Sequence, residues 1–115
     1  MTAFDTTIAP IAPVIKGNYR ARLAASAADL ESAQRLRHRM FVGGSQADGL
    51  DIDSFDAKCQ HVLVESVDTG TLQACFRFLH IDSGHDIDIS YSAQFYDLSN
   101  LHNYHKPMLE VGRFC

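Results

Sequence analysis

The stretch Met108-Leu-Glu-Val-Gly-Arg-Phe-Cys115 is an apolar strand pattern that carries two charged side chains, Glu110 and Arg113. In a regular strand, residues three apart point to opposite faces of the sheet. Glu110 and Arg113 share a face only if the strand is bulged, and Gly112 is the residue that most easily takes a bulge's backbone angles. Because a charged pair is costly to bury on an apolar strand, the stretch is a candidate site. The alternative is a surface strand with an exposed Glu and Arg.

The length and composition predict one small globular domain. The chain has 115 residues, of which 46% are hydrophobic and 21% are charged. Its net charge of -4 argues against a nucleic-acid-binding protein. It contains neither an apolar run long enough to span a membrane nor a signal-peptide pattern. Cys59, Cys75 and Cys115 lack C-x-x-C spacing, so we predict reduced thiols in a cytoplasmic protein, without a disulfide framework or a metal site.

The amino-terminal part predicts a tail followed by a strand. Residues 1–17 contain Pro10 and Pro13, and because proline fixes φ and removes a donor, we expect a flexible tail there. An alternative for the same tail is contact with a membrane surface. Residues 18–24 alternate apolar and arginine side chains, which predicts a first strand with one buried face. We therefore expect the folded domain to occupy residues 18–115.

A long helix is predicted from Ala27 to Val42. Ser26 is a typical N-cap, Asp29 completes a capping box, and Gly43-Gly44 ends the helix. The predicted apolar stripe comprises Leu30, Ala33, Leu36, Met40 and Phe41. The opposite face is basic and comprises Arg35, Arg37, His38 and Arg39. We expect this face to be either solvated or a docking surface for phosphate or an acidic partner.

The helix is followed by an acidic loop and a β-hairpin. The carboxylates of the loop are Asp48, Asp51, Asp53 and Asp56. They do not form an EF-hand, because the loop lacks that motif's glycine at position six and glutamate at position twelve. Residues 61–67 and 72–79 read as two strands joined by a turn. Arg77 is a charge among apolar neighbours in the second strand and needs a partner, for which the candidates are Asp53, Asp56 and Glu110.

The remaining segments complete an α+β domain with a mostly antiparallel sheet, a long first helix and a short second helix. Residues 80–88 are expected to be a loop, and residues 92–96 a short helical turn. His102 and His105 are expected to be solvated loop residues, and Pro107 introduces the last strand.

Four short motifs occur in a characteristic order. They are Leu36-Arg37-x-x-x-Phe41-Val42, Asp53-Ser-Phe-Asp56, Arg77 in the hairpin, and Glu110-Val-Gly112-Arg113. Together they resemble the long-chain N-acyltransferases of the GNAT superfamily. Tyr91-Ser-Ala-Gln-Phe-Tyr-Asp-Leu98 and Gly112 are similar to the ornithine N-acyltransferase branch, whereas Phe114 is similar to the acyl-homoserine-lactone synthases.

The chain also departs from this family. Gly43-Gly44 stands where an acidic pair is usual, and Gln94-Phe95-Tyr96 replaces the usual Glu-Phe. The resemblance covers residues 18–115 and implies an incomplete GNAT-like fold, the amino-terminal half only. The family's loop and helix that hold the phosphates of the acyl donor would follow this half.

The resemblance implies transfer of a fatty acyl group from acyl-carrier protein or coenzyme A to a primary amine such as ornithine, with no bound cofactor. It implies Glu110 as general base, and Arg113 as the group that holds Glu110 or the acceptor carboxylate. Arg77 would form an ion network with Asp53 and Asp56. Arg37, with Phe41 beside it, would contact substrate or the carrier protein. The alternatives are a lactone-synthase-like protein, or a truncated, inactive half-domain that self-associates through its exposed last strand.

Overall fold

A computed structural model of the chain describes residues 11–43 and 48–115, which form one five-stranded sheet packed against one α-helix. The strands are β1 (Val14–Lys16), β2 (Tyr19–Leu23), β3 (Gln60–Ser66), β4 (Leu72–Ile81) and β5 (Met108–Gly112). The helix, α1, spans Ala27–Phe41. The spatial order β1-β2-β3-β4-β5 follows the chain, and every neighbouring pair is antiparallel. The predicted α+β class with an antiparallel hairpin is confirmed.

The helix α1 begins where its capping residues predict. The Ser26 hydroxyl accepts a hydrogen bond from the backbone N–H of Asp29 at 3.1 Å, which satisfies one of the free donors of the first turn. The carboxylate of Asp29 also accepts two hydrogen bonds from the Arg22 guanidinium, at 2.7 and 2.9 Å, and this contact joins the helix start to β2. Val42 is the C-cap, so the helix is one residue shorter than predicted.

The buried face of α1 differs from the predicted stripe. Ala33 and Leu36 are buried as predicted, but Met40 and Phe41 are 62% and 53% exposed. Arg37, predicted to lie on the basic face that is solvated or docks a partner, is only 1% exposed. Arg37 lies four residues after Ala33 and therefore falls on the same side of the helix. The prediction from the apolar stripe was wrong for Arg37 because it assumes that arginine side chains stay in water.

Strand β4 is longer than predicted and contributes more buried apolar residues than any other element of the described chain. It continues to Ile81, so His80 lies within the strand opposite Leu109 rather than in a loop. Leu79 and Ile81 are buried and pack with Cys59 and Ile87. Short 3-10 helices follow at Gly84–Ile89, Ser92–Gln94 and Ser99–Leu101, and a further one at Asp56–Lys58 precedes β3. The helix at Ser92–Gln94 confirms the helical turn predicted for residues 92–96, although it is two residues shorter.

The strand β1 was not indicated by the sequence, because Val14–Lys16 lies inside the segment expected to be a tail. It pairs with β2 across a turn in which Gly17 has a φ of +59°, a conformation that suits glycine. Residues 1–10 of the expected tail lie outside the described residues. Within the described ranges, no helix is both long enough and apolar enough to cross a membrane.

Candidate active site

The chain is bulged just after β5 ends. Gly112 is directly opposite Arg77, and Cys115 exchanges two backbone hydrogen bonds with Cys75, at 2.9 and 3.0 Å. Between these two pairs β4 contributes one residue and the last segment contributes two, so the last segment contains one extra residue. One extra residue on one strand defines a β-bulge. The bulge predicted from the sequence is therefore present.

The residue with bulge-type backbone angles is Arg113, not the predicted Gly112. Arg113 has a φ of 50°, and it is the one non-glycine residue with positive φ in the described ranges. The left-handed region costs an L-residue about 1–2 kcal/mol relative to the ordinary helical region. Its occupation by an arginine needs compensation, and the ion pairs of the Arg113 side chain can supply it.

The bulge directs Glu110 and Arg113 into one cleft. Glu110 is opposite the buried Leu79 on β4, and therefore faces the same side of the sheet. Both Glu110 and Arg113 line a cleft of about 80 Å³, together with Arg77 and Tyr91. Its other lining residues are Phe55, Cys59, Leu79, Ser92, Val111 and Gly112. The volume is sufficient for a few water molecules or the polar end of a small ligand.

Three arginines and three aspartates form a closed ring of alternating charges beside this cleft. In order around the ring they are Asp51, Arg37, Asp56, Arg77, Asp53 and Arg113, and the last closes onto Asp51. Every arginine contacts two carboxylates and every carboxylate contacts two arginines. The ring is formally neutral, which makes its burial possible. We call this set the ion ring.

Arg37 and Asp56 form the most buried side of the ion ring. Arg37 Nη1 donates to Asp56 Oδ1 at 2.7 Å, and Arg37 Nε donates to Asp51 Oδ2 at 2.9 Å. The side chain of Gln34 also donates to Asp56, at 3.0 Å. Burial alone would raise the pKa of Asp56, but the hydrogen bonds from Arg37 and Gln34 outweigh it and lower this pKa to about 2. Asp56 is therefore ionised at neutral pH.

Arg77 connects the hairpin to the acidic loop. Its Nη1 and Nη2 atoms donate to the two oxygens of Asp53, at 2.6 and 2.8 Å, in a bidentate arrangement. Nη1 also donates to Asp56, at 2.8 Å. The hydrogen bonds from Arg77 lower the pKa of Asp53. Of the three candidate partners of Arg77, Asp53 and Asp56 are therefore confirmed. The third candidate, Glu110, bonds to other groups.

Arg113 closes the ion ring at its most exposed side. Its Nε donates to Asp51 at 3.0 Å and its Nη2 donates to Asp53 at 3.2 Å. Of the two expectations for Arg113, the contact with Glu110 is wrong, because the guanidinium is directed to the acidic loop instead; the contact with an acceptor carboxylate stays a prediction. The side chain of Arg113 is 27% exposed, against 1% for Arg37 and 5% for Arg77. Arg113 is thus the ring cation that a ligand in the cleft can reach.

Glu110 instead holds the segment that carries Tyr91. Its two oxygens accept hydrogen bonds from the backbone N–H groups of Tyr91 and Ser92, at 2.8 and 3.0 Å. The guanidinium carbons of Arg113 and Arg77 then lie 5.5 and 5.8 Å from the centre of the Tyr91 ring, within cation–π range. Glu110 therefore fixes one wall of the cleft through two backbone contacts.

A family model described as an acetyltransferase (GNAT) domain matches residues 34–115 of the chain. The chain belongs to the GNAT acetyltransferase domain family. This GNAT domain is 34% identical to an L-ornithine N(alpha)-acyltransferase of Rhizobium meliloti, over 85% of this chain and 38% of the relative. It is 32% identical to one of Rhodobacter capsulatus (85% and 43%) and 28% identical to one of Agrobacterium fabrum (86% and 39%). It thus spans about two fifths of the length of these curated relatives, and no solved structure matches it.

The structure brings together most of the predicted site residues of this GNAT domain. Arg37, Asp53, Asp56, Arg77 and Arg113 are all members of the ion ring, and Glu110 lines the adjacent cleft. All of these residues fall within the part that the family model matches. The exception is Phe41, which lies at the exposed end of α1 and does not line the cleft.

Two residues of the site were given no role from the sequence. In the sequence, Asp51 is one of four loop carboxylates without a distinguishing feature, and Tyr91 is the first residue of a motif similar to the ornithine branch. A spacing of two residues between Asp51 and Asp53 was a usable signal, because alternate residues of an extended loop can face the same side. The backbone contact between Glu110 and Tyr91 has no signal in the sequence.

The cysteine in the cleft is poorly suited to nucleophilic chemistry. Cys59 lines the cleft and is 6% exposed. Burial raises the pKa of its thiol to about 11, so the reactive thiolate is scarce at neutral pH. The site therefore favours chemistry that does not pass through a covalent intermediate on Cys59.

Proposed function

We propose that this GNAT domain carries the acceptor side of an N-acyltransferase site. The reaction transfers a fatty acyl group from a thioester, on acyl-carrier protein or coenzyme A, to a primary amine such as the α-amino group of ornithine. The observation that carries the proposal is a single cleft lined by both Glu110 and the partly exposed Arg113. The relatives named L-ornithine N(alpha)-acyltransferase support the choice of acceptor.

The proposed chemistry is direct aminolysis of the thioester. Glu110 removes a proton from the acceptor ammonium, and the free amine attacks the thioester carbonyl carbon. The tetrahedral intermediate collapses and the carbon–sulfur bond breaks. The departing thiolate takes the second proton from the attacking nitrogen, so the donor leaves as a thiol and the acceptor becomes an amide. Glu110 is suited to this role because its two backbone hydrogen bonds hold the carboxylate in one orientation within the cleft.

The acceptor of this reaction carries its own carboxylate, which needs a cationic partner. Arg113 is the ring arginine with an accessible side chain, and a guanidinium can bind a carboxylate through two parallel hydrogen bonds. All three ring arginines pair with two aspartates, but the side chains of Arg37 and Arg77 are nearly buried. We assign them to positioning: they keep the acidic loop, and through it Arg113, in place.

The docking surface for an acidic carrier protein is proposed to be the exposed basic side of α1. Burial removes Arg37 from this surface. Arg35 and Arg39 remain exposed on it, although Arg35 also pairs with Glu31 at 2.7 Å. A surface with exposed cations can attract an acidic partner before close contact forms.

A second candidate is a non-catalytic domain that associates through β5. This strand is at the edge of the sheet, and the side chains of Leu109 and Val111 are 57% and 56% exposed. An edge strand with exposed apolar side chains offers free backbone donors and acceptors to another strand.

An acyl-transfer assay on the purified chain tests the first candidate against the second. Acyl-carrier-protein and coenzyme A thioesters are offered with ornithine, and the acyl-amide product and released thiol are both measured. We expect product with the wild type and a loss of about 100-fold or more in Glu110→Gln, the usual share of a general base. Asp68→Asn removes an exposed carboxylate in the turn between β3 and β4, away from the cleft and the docking surface, and serves as the control. Equal rates in wild type and Glu110→Gln would contradict the base role.

The acceptor analogue putrescine, which lacks the carboxylate of ornithine, separates recognition from catalysis. Arg113→Lys is expected to raise KM for ornithine while leaving KM for putrescine unchanged. Absence of any acyl product, together with a dimer in size-exclusion chromatography that Val111→Lys abolishes, would favour the second candidate.

A further inference from the structure

Cys75 and Cys115 are directly opposite each other at the bulged end of the sheet. Their backbones exchange two hydrogen bonds, at 2.9 and 3.0 Å. A pair of this kind has a Cα–Cα separation of about 5.5 Å, inside the range of about 4.4–6.8 Å found for disulfide-bonded cysteines. The two Sγ atoms lie 3.6 Å apart as free thiols. Closing the remaining distance needs side-chain rotation and no rearrangement of the backbone.

We propose that Cys75 and Cys115 are a disulfide-forming site, which an oxidant of the peroxide class converts from dithiol to disulfide. This proposal does not depend on the acyl-transfer proposal. It concerns a cysteine pair on the far side of the bulge, and neither cysteine lines the cleft.

The surroundings of the two thiols give each a different part in the reaction. Cys75 is 1% exposed and packs under α1 against Ala33 and Leu36. Cys115 is partly exposed, so a dissolved oxidant reaches it first. Burial is the larger cause and the neighbouring Cys115 the smaller one; together they raise the pKa of the Cys75 thiol to about 12. Cys115 is therefore the attacking residue and Cys75 the resolving residue.

The reaction balances with peroxide as the single co-reactant. The Cys115 thiolate attacks one oxygen of hydrogen peroxide, the O–O bond breaks, and Cys115 becomes a sulfenic acid with release of hydroxide. The Cys75 sulfur then attacks the Cys115 sulfur and gives up its proton, and the sulfenic hydroxyl leaves as water. In total, two thiols and one peroxide give one disulfide and two water molecules.

The disulfide would anchor the bulge that presents Arg113. Cys115 lies two residues after Arg113, and Cys75 lies two residues before Arg77. The link would therefore fasten the segment carrying one ring arginine to the strand carrying another. It would also close a loop of about forty residues and so restrict the unfolded chain. We expect the oxidised protein to melt at a higher temperature than the reduced one.

Mass spectrometry of the peroxide-treated chain tests the proposal. After hydrogen peroxide treatment, a non-reducing peptide map should show the Cys75 and Cys115 peptides joined, with the mass of the intact protein lower by two hydrogen atoms. Dithiothreitol should reverse both changes and the rise in Tm. The control variant Cys59→Ser should form the same link, and Cys115→Ser should leave Cys75 as a free thiol.

Two results would overturn the proposal. One is a wild-type protein in which Cys115 proceeds to sulfinic acid while Cys75 stays a free thiol. The other is a cross-link between two chains through Cys115 in place of the internal link. Both are read from the wild type, so the test does not depend on whether a variant of the buried Cys75 folds.

Discussion

The Nη1 atom of Arg37 lies 2.7 Å from the Oδ1 atom of Asp56, and these side chains are only 1% and 5% exposed. Two charges this deep in a protein are stabilised by each other and by their further partners, not by water. Here the further partners extend into the ion ring, which joins α1, the acidic loop, β4 and the segment after β5. The same contacts that neutralise Arg37 therefore hold the wall of the cleft.

We expect Asp56→Asn to destabilise the fold by about 3 kcal/mol, because it leaves two buried guanidiniums with too little negative charge. Urea unfolding followed by circular dichroism measures the change. The matched control is Glu31→Gln, which breaks the exposed pair with Arg35 and should cost at most about 0.5 kcal/mol. Equal losses of unfolding free energy in the two variants would show that the ion ring does not behave as a buried network.

Acid should destabilise the protein through Asp56. The pKa of Asp56 is about 2 in the folded protein against 3.8 for the free side chain. Because the pKa is lowered in the folded protein, ionised Asp56 stabilises the fold by about 2 kcal/mol at pH values well above 3.8. This contribution disappears as the pH falls from 3.8 through about 2. Unfolding free energy measured from pH 5 to pH 2 should decline steeply in the wild type. In Asp56→Asn the unfolding free energy should decline less steeply. A decline as steep as that of the wild type would contradict the assignment of this pH effect to Asp56.

A second pH effect should arise from His61 in a higher range. His61 is buried, and its Nε2 lies 2.9 Å from the backbone oxygen of Asp56. Burial lowers the pKa of this imidazole below 6.5, and the guanidiniums of Arg37 and Arg77 act in the same direction. Below pH 6.5 the unfolded chain binds a proton that the folded chain does not, so stability falls as the pH drops from 6.5 towards the folded pKa.

The variant His61→Gln separates this effect from that of the aspartates. Glutamine can still donate to the backbone oxygen of Asp56 but does not titrate. We expect the unfolding free energy of the variant to be flat between pH 7 and pH 5, where that of the wild type declines. The exposed His85→Gln is the control and should keep the wild-type profile. A decline that persists in His61→Gln would assign the effect to another group.

The sequence predicted those features that rest on local rules. The helix start at Ser26 and the hairpin follow from capping and alternation, and both are present. The need of a buried charge for partners left Asp53, Asp56 and Glu110 as candidates for Arg77, and the family resemblance implied the first two, which the structure shows. These predictions succeeded because each depends on neighbouring residues or on one strong energetic requirement.

The errors about the site share one cause, which is that the sequence does not show which charges meet in space. Arg37 reads as part of a basic surface until three carboxylates of a distant loop are seen to surround the buried arginines. The contact of Glu110 with two backbone N–H groups, eighteen and nineteen residues away, leaves no mark on side-chain type. Patterns of polarity therefore located the site but could not give its connections.

The geometry of the bulge predicts that Gly112 can be replaced at little cost in stability. Gly112 has no positive φ, and a Cβ added to it would meet nothing within 4 Å. We expect Gly112→Ala to change the unfolding free energy by less than about 0.5 kcal/mol. Gly70, in the turn between β3 and β4, is the matched control: its site is equally open, but its φ is +72°. Gly70→Ala should cost about 1 kcal/mol, and a larger loss at Gly112 would show that the bulge does require glycine there.

Glu110 should reveal a structural role and a chemical role in separate measurements. The carboxylate accepts from both Tyr91 and Ser92, whereas the amide of Glu110→Gln offers a single acceptor oxygen. We therefore expect hydrogen exchange at one of these two backbone amides to accelerate in Glu110→Gln, while exchange in α1 stays unchanged. Glu110→Ala should accelerate exchange at both. If acyl transfer is lost in Glu110→Gln while one amide stays protected, proton removal is the function of this carboxylate. If exchange at both amides and activity change together in both variants, Glu110 acts by holding Tyr91 in place.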